Sequence, residues 1–179
     1  VNVARPWSIE GLPGIARVDL RRSRPLVLAQ GRPVVTLLWR TLDADPGKTM
    51  GLIGTRLPVP AGSTPVWVSE AMVDLYHVNA GARIRLPLNG RLQEFFVAGV
   101  WRDYARQAGA VQMRLSDYRT LSGDLEVSDA ALWLNQGVLA PDARERLKRL
   151  PFGPSLELAA PSEIRALSLK IFDRSFAVT

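Results

Sequence analysis

With 179 residues, of which 47% are hydrophobic and 22% charged, the chain can bury a core in one domain or in two small lobes sharing an interface. It contains no cysteine and one histidine, which excludes disulfides, thiol catalysis, thiolate metal sites and histidine-rich metal sites. Lys plus Arg outnumber Asp plus Glu by 23 to 17, so anionic surfaces attract the chain at long range, yet no ladder of aromatics accompanies the excess and nucleic acid is not an expected partner.

Lipid head groups are the better anionic partner, and weak, salt-sensitive association with anionic vesicles is expected. No apolar run approaches the ~20 residues that span a bilayer. The chain begins at Val1 with no signal-peptide pattern and reads as an excised or processed piece of a longer one.

Val1 to Leu12 has no clear period and reads as a lead-in segment. Ile15 to Leu20 alternates, Leu26 to Ala29 is apolar, Gln30-Gly31-Arg32 turns the chain and Val34 to Trp39 returns, which predicts a three-strand meander. Arg21, Arg22 and Arg24 form the one tight basic cluster, read as the solvated charges of an edge strand.

Asp43 to Pro65 is punctuated by glycine and proline and reads as a connection between lobes. Gly47-Lys48-Thr49 lacks the earlier glycine of a phosphate loop, because Leu42 stands there. Asp43-Ala44-Asp45 lacks the later ligands of a calcium loop, because Gly47 and Lys48 follow.

The stretch Val66 to Trp101 carries the strongest pattern. Val66-Trp67-Val68 reads as a strand, Ser69 as the cap of a helix with Glu70 at its positive end, and Asn79 or Gly81 as its stop. Ile84, Leu86 and Leu88 alternate with Arg83, Arg85 and Pro87, Asn89-Gly90 suits a two-residue hairpin turn, and Phe95 to Trp101 returns as a fuller apolar run.

Ser69, Asp74 and His77 would have to form a triad along a single helix, an awkward geometry, so no catalytic role is assigned to them. Trp101, Asp103 and Tyr104 form either a binding edge or a packing corner, since Trp and Tyr combine apolar area with a polar handle.

Ala110 to Leu115 predicts a strand, and Ser116 or Asp117 caps a short helix through Leu121 that Gly123 ends. Asp124, Glu126 and Asp129 read as solvated loop charge, with a paired-carboxylate hydrolase as the weaker alternative.

Ala130 to Leu134 predicts a buried strand. Pro141 opens a helix that places Ala143, Leu147 and Leu150 on one face, lets Glu145 pair with Arg149, and stops at Pro151. Leu156 to Leu158 gives one more strand. Ser162 then caps a helix running through Ile164, Leu167, Ile171, Phe172 and Phe176 to Thr179 without Gly, Pro or a C-cap, the pattern of a helix that continues beyond the chain. The residues themselves describe an α+β domain with no catalytic constellation.

The order Val68-Ser69-Glu70, Asn79 to Leu86, and Phe96-Val97-Ala98-Gly99-Val100-Trp101-Arg102-Asp103-Tyr104, followed by Ser168 to Thr179, resembles the extracytoplasmic domain of bacterial ABC-transporter permeases of the FtsX-like, or MacB-type, superfamily. The resemblance implies a two-lobed mixed domain spanning 1–179. Residues 14–42 with 130–160 would form a membrane-proximal, porter-like α/β lobe, 64–124 an inserted β-rich lobe, and 162–179 a helix leading to a transmembrane span.

It also implies an inner-membrane protein whose external domain is non-catalytic and needs no cofactor or metal. The implied partners are a cytoplasmic ABC ATPase subunit, a second permease copy or half, and a lipid, lipoprotein or peptide substrate. Ile171, Phe172, Arg174 and Phe176 would couple the domain to its stalk, and Trp101, Asp103 and Tyr104 would form an interaction edge. The alternative is a free-standing periplasmic ligand-binding or adaptor module.

Overall fold

Strand β1 runs unbroken over Ile15–Leu26, 12 residues that include the whole basic cluster. The computed structural model describes residues 9, 11–42, 46–48, 50–54, 56–163 and 165. Most of the lead-in segment, Asp43 to Asp45, and the residues from Ala166 onward, where a terminal helix is expected, lie outside the described residues.

The expected meander is therefore two strands, β1 and β2 (Val35–Arg40), paired antiparallel from Arg21 opposite Arg40 to Leu26 opposite Val35. The arginines extend the strand because they have partners. Arg21 reaches Asp19 at 3.2 Å, Arg22 reaches Asp124 at 3.1 Å and also Glu126, and Arg24 donates to the Pro87 carbonyl at 2.8 Å. Gly31, at φ 76°, lies in the turn that follows, closed by the Arg32 amide on the Ala29 carbonyl at 3.3 Å.

After a 3₁₀ turn at Pro46–Lys48 come β3 (Leu52–Ile53), β4 (Pro65–Ser69), helix α1 (Glu70–Tyr76), β5 (Arg83–Leu88), β6 (Arg91–Trp101), β7 (Ala110–Arg114), α2 (Leu115–Ser122), β8 (Asp129–Leu134) and α3 (Ala140–Lys148). The sheet order is β3-β6-β4-β7-β2-β1-β8, with β5 added on β6. β4 lies parallel to β6 and antiparallel to β7, and β7 lies parallel to β2. β2 and β7, from segments assigned above to different lobes, are thus direct neighbours. β1 is an interior strand of this order, not the edge that its charges suggested.

β4 is buried at every position because both of its faces are covered. Val66 and Val68 alternate with Trp67, which joins Met50, Phe96, Ala98, Trp101 and Ala110 in one cluster. Leu37, Trp39, Met72, Phe95 and Val97 are also fully or almost fully buried, each such side chain contributing about 1.5–3 kcal/mol. A bulge between Val66 and Trp67 skips Ala98 in the pairing with β6, and the Leu57 amide takes the Ala98 carbonyl at 3.4 Å.

The turn expected at Asn89-Gly90 closes the β5–β6 hairpin with φ of 48° and 73°, the conformation that Asn and Gly tolerate. Several local expectations change. Ser69 precedes α1 in extended conformation but makes no side-chain cap; its buried hydroxyl accepts the Ala110 amide at 2.9 Å. The helix ends at His77, in the left-handed region at φ 56°, before Asn79 or Gly81 is reached. α2 begins one residue before Ser116, with Arg114 at its N-cap, and ends at Gly123 as expected.

The contacts divide the chain into a larger unit built on Val18–Ala131 and a smaller one that gathers the start of β1 with the chain from Leu132 onward. In the smaller unit, Arg146 donates to the Pro13 carbonyl at 2.9 Å and the Asn135 amide to the Gly14 carbonyl at 2.9 Å. The Arg17 guanidinium lies 5.0 Å from the Trp133 ring centre. α3 buries Ala143 and Leu147, as its period predicts.

β8 exists but is exposed or half-buried along its length, so its apolar run is not a core strand. Leu156 to Leu158 forms no strand, because the chain folds back over the end of α3, with the Gly153 amide on the Leu150 carbonyl at 2.8 Å and Lys148 Nζ on the Leu156 carbonyl at 2.6 Å. Pro161 to Glu163 are helical, and Glu163, not Ser162, supplies the start signal by accepting the Ala160 amide at 2.8 Å.

Candidate functional site

Two clefts in the larger unit combine apolar walls with charged rims. α1 builds the first. Glu70, Val73 and Asp74 recur at helical spacing and face away from the buried Met72, so they present one stripe to a groove of about 690 Å³ closed by Ile53, Leu57 and Val100. Arg102, just past the end of β6, reaches Glu70 at 3.3 Å across this groove.

The second cleft, of about 330 Å³, is lined by Arg21, Arg22 and Arg40 from the β1–β2 hairpin, by Arg102 and Arg106 from the segment after β6, and by Trp39 and Trp101. Met50 and Gln112 complete it, the Gln112 amide lying 3.3 Å from the Met50 sulfur. Hairpin register brings Arg22 opposite Trp39 and Arg21 opposite Arg40, so one face of the sheet carries Arg22 with Trp39 and the other Arg21 with Arg40. Arg102 lines both clefts.

Behind Trp39 lies a bonded array. The Trp39 and Tyr118 rings stack at 3.9 Å between centres and 19° between planes, and Arg22 and Arg24 lie 5.8 and 5.9 Å from the Trp39 ring centre. Tyr118 donates its hydroxyl to Asp124 at 2.9 Å. Burial alone would raise the Asp124 carboxyl, but the Glu126 amide, the Tyr118 hydroxyl and the charges of Arg22 and Arg24 hold it below the usual carboxylate value. Burial and the Asp124 bond push the Tyr118 hydroxyl up.

Asp124 and Glu126 are accordingly tied to Arg22 in a charge-pairing role, and Asp129 opens β8 at an exposed position. Ser69 is buried against β7, which removes it from any triad with Asp74 and His77. Gly47 lies in a 3₁₀ turn closed by the Met50 amide on the Pro46 carbonyl at 2.8 Å.

Trp101, Asp103 and Tyr104 are held in three different ways. Trp101 is 8% exposed and packs in the core cluster. The Asp103 carboxylate, 6% exposed, accepts the Ala105 amide and Arg106 Nη1, both at 3.0 Å, and so fixes its own turn. Tyr104 projects at 84% exposure. Ile171, Phe172, Arg174 and Phe176 lie outside the described residues.

Sequence reasoning missed the convergence of Arg21, Arg40, Arg102 and Arg106. The signal was available only through pairing, since the segments that meet are some sixty residues apart in the chain.

No family model matches the chain, and no curated protein matches it. Among solved structures, the periplasmic region of MacB from Actinobacillus actinomycetemcomitans superimposes with a TM-score of 0.56 at 16% identity, covering 84% of this chain and 74% of that one. The extracellular domain of the noncanonic ABC-type transporter YknZ from Gram-positive bacteria does so with a TM-score of 0.56 at 11% identity, covering 86% of this chain and 88% of that one. The mixed α/β fold is therefore that of these extracytoplasmic transporter domains. Among the described residues no helix is long and apolar enough to cross a membrane.

Proposed function

We propose that the chain is the extracytoplasmic domain of an ABC-transporter permease, a non-catalytic element that passes ATPase-driven motion to a lipid, lipoprotein or peptide outside the inner membrane. The observation that carries this reading is the fold likeness to two such domains over more than four-fifths of the chain. The buried or paired state of Ser69, Asp124 and Glu126 supports a mechanical role, because each is committed to holding strands or loops together.

In this reading a cytoplasmic ABC ATPase and a second permease copy or half complete the transporter. The helix that starts at Pro161 continues through 162–179 into a membrane span, with Ile171, Phe172, Arg174 and Phe176 as its coupling residues. The experiment is to read the coding sequence on both sides of the chain, express the full-length product in a membrane fraction and recover it in detergent. An apolar span adjoining Thr179 and co-purification of an ATPase are expected; a stop codon at that point with a soluble product would overturn the reading.

The groove of about 690 Å³ beside α1 favours a second reading, a free-standing ligand-binding or adaptor module with Tyr104 near its interaction edge. That reading expects the isolated chain to capture a lipid or peptide with no ATPase present, and clean titrations without binding count against it.

A further inference from the structure

We propose that Asn89 is a site of spontaneous deamidation, through which the tip of the β5–β6 hairpin acquires a carboxylate and, in part, a lengthened main chain. Of the four asparagines in the chain only Asn89 precedes a glycine. With no Cβ beside it, the Gly90 amide nitrogen is open to approach. Both turn residues are exposed, and a Cβ built at Gly90 would meet nothing within 4 Å beyond its chain neighbours. Among the described residues no acceptor takes the Gly90 amide and no partner holds the Asn89 side chain. The turn accounts for this: the ladder closes with Leu88 opposite Arg91, which leaves the main-chain groups between them outside the pairing.

The other described asparagines are held differently. The Asn79 carbonyl accepts the Ala82 amide at 3.1 Å; Asn135 donates its amide to the Gly14 carbonyl at 2.9 Å and accepts the Val138 amide at 3.1 Å. Ala80 and Gln136 follow them, so a side chain crowds the attacking nitrogen in each case.

In the reaction the Gly90 nitrogen loses its proton and bonds to the Asn89 Cγ, the Cγ–Nδ2 bond breaks, and ammonia leaves with the proton. Water then opens the resulting succinimide ring. Cleavage of the new Cγ–N bond gives aspartate on an unaltered main chain, and cleavage of the original peptide C–N bond gives isoaspartate, whose main chain runs through Cβ and Cγ. Water is the one co-reactant, and nothing is oxidised or reduced. Aspartate tolerates the left-handed conformation that Asn89 holds at φ 48°, so that product keeps the turn. Isoaspartate inserts an extra main-chain atom into a two-residue turn that has no slack for it. The strain falls on Leu88, the fully buried last residue of β5, and on the Pro87 carbonyl that Arg24 holds at 2.8 Å. The site rests on the hairpin alone and holds under either reading of the domain.

The test incubates the folded 179-residue chain at about pH 8 and about 37 °C for about four weeks, digests samples with trypsin and follows the peptides by mass spectrometry. The Leu86–Arg91 peptide should gain about 1 Da and separate into two products, isoaspartate the larger, while the peptides carrying Asn79 and Asn135 convert at under roughly a tenth of its rate. Gly90→Ala should slow the conversion roughly tenfold or more. The Asn79 and Asn135 peptides give the comparison within one molecule, so the test does not depend on that variant folding. The purified isoaspartate form should unfold at a lower urea concentration than Asn89→Asp, which carries the same charge on an unaltered main chain.

A Leu86–Arg91 peptide that stays unchanged in the folded chain overturns the proposal. Conversion at Asn79 or Asn135 as fast as at Asn89 overturns the role of the turn, and an isoaspartate form as stable as Asn89→Asp overturns the effect on the hairpin.

Discussion

The Ser69 hydroxyl accepts the Ala110 amide at 2.9 Å, binding the end of β4 to the start of β7 where both residues are fully buried. Ser69→Ala leaves that amide without an acceptor and should cost about 1–3 kcal/mol in urea unfolding. Helix content should be unchanged, since Ser69 does not cap α1. Hydrogen exchange that accelerates at Ala110, not in the first turn of α1, would separate this role from capping.

Asp124 sets an acid limit on stability. Its folded carboxyl is depressed, so its contribution is present above the ordinary unfolded value near 3.9 and is lost as pH falls through the folded one. Asp124→Asn should flatten the acid side of the stability curve and cost roughly 1–2 kcal/mol at neutral pH. Tyr118 acts with the opposite sign: its raised hydroxyl contributes below about pH 10 and loses its contribution as pH rises through the folded value. Denaturant midpoints measured from pH 2 to 11 for wild type, Asp124→Asn and Tyr118→Phe check both limbs.

Trp101 and Tyr104 are three residues apart and should behave as opposites. Trp101→Ala removes a large side chain from the cluster of Met50, Trp67 and Phe96 and should cost about 3–5 kcal/mol. Tyr104→Ala should stay within about 0.5 kcal/mol, because the ring is in solvent. Thermal melts of the two variants decide it.

Gly109 has φ +99°, and an added Cβ would lie 2.8 Å from the Met72 sulfur. Gly109→Ala should therefore combine backbone strain with a clash and cost roughly 1–3 kcal/mol. Gly90, at φ +73°, faces open space, so Gly90→Ala carries the strain alone and should cost about 1 kcal/mol. Equal losses in the two variants would show that the contact with Met72 is relieved at no cost.

The region from β4 to β6 was legible because its signals are local: alternation in Ile84, Leu86 and Leu88, an Asn-Gly turn, and an apolar run covered on both faces. Gly123 likewise declared the end of α2. Partnership across the chain was not legible. Arg21, Arg22 and Arg24 read as the solvated charges of an edge strand until Asp19, Asp124, Glu126 and the Pro87 carbonyl are placed beside them. Ser69 had the chemistry of a cap, and a strand forty-one residues away claimed its hydroxyl first. β8 is apolar without being buried, a distinction that composition does not carry. The clefts were invisible for the same reason, since no short window contains Arg21 together with Arg106.

The place of β7 between β4 and β2 also fixes an order of assembly during synthesis. The β1–β2 hairpin and the group β3 to β6 leave the ribosome first, but neither can pair with the other through the sheet until residues 110–114 arrive between them. Until then both present unpaired strand edges, the state most open to pairing with the wrong chain. A nascent chain stalled before Ala110 would lack the strand that joins the two groups, and the step that makes them one depends on a five-residue strand whose central residues, Val111 to Met113, pair on both sides at once.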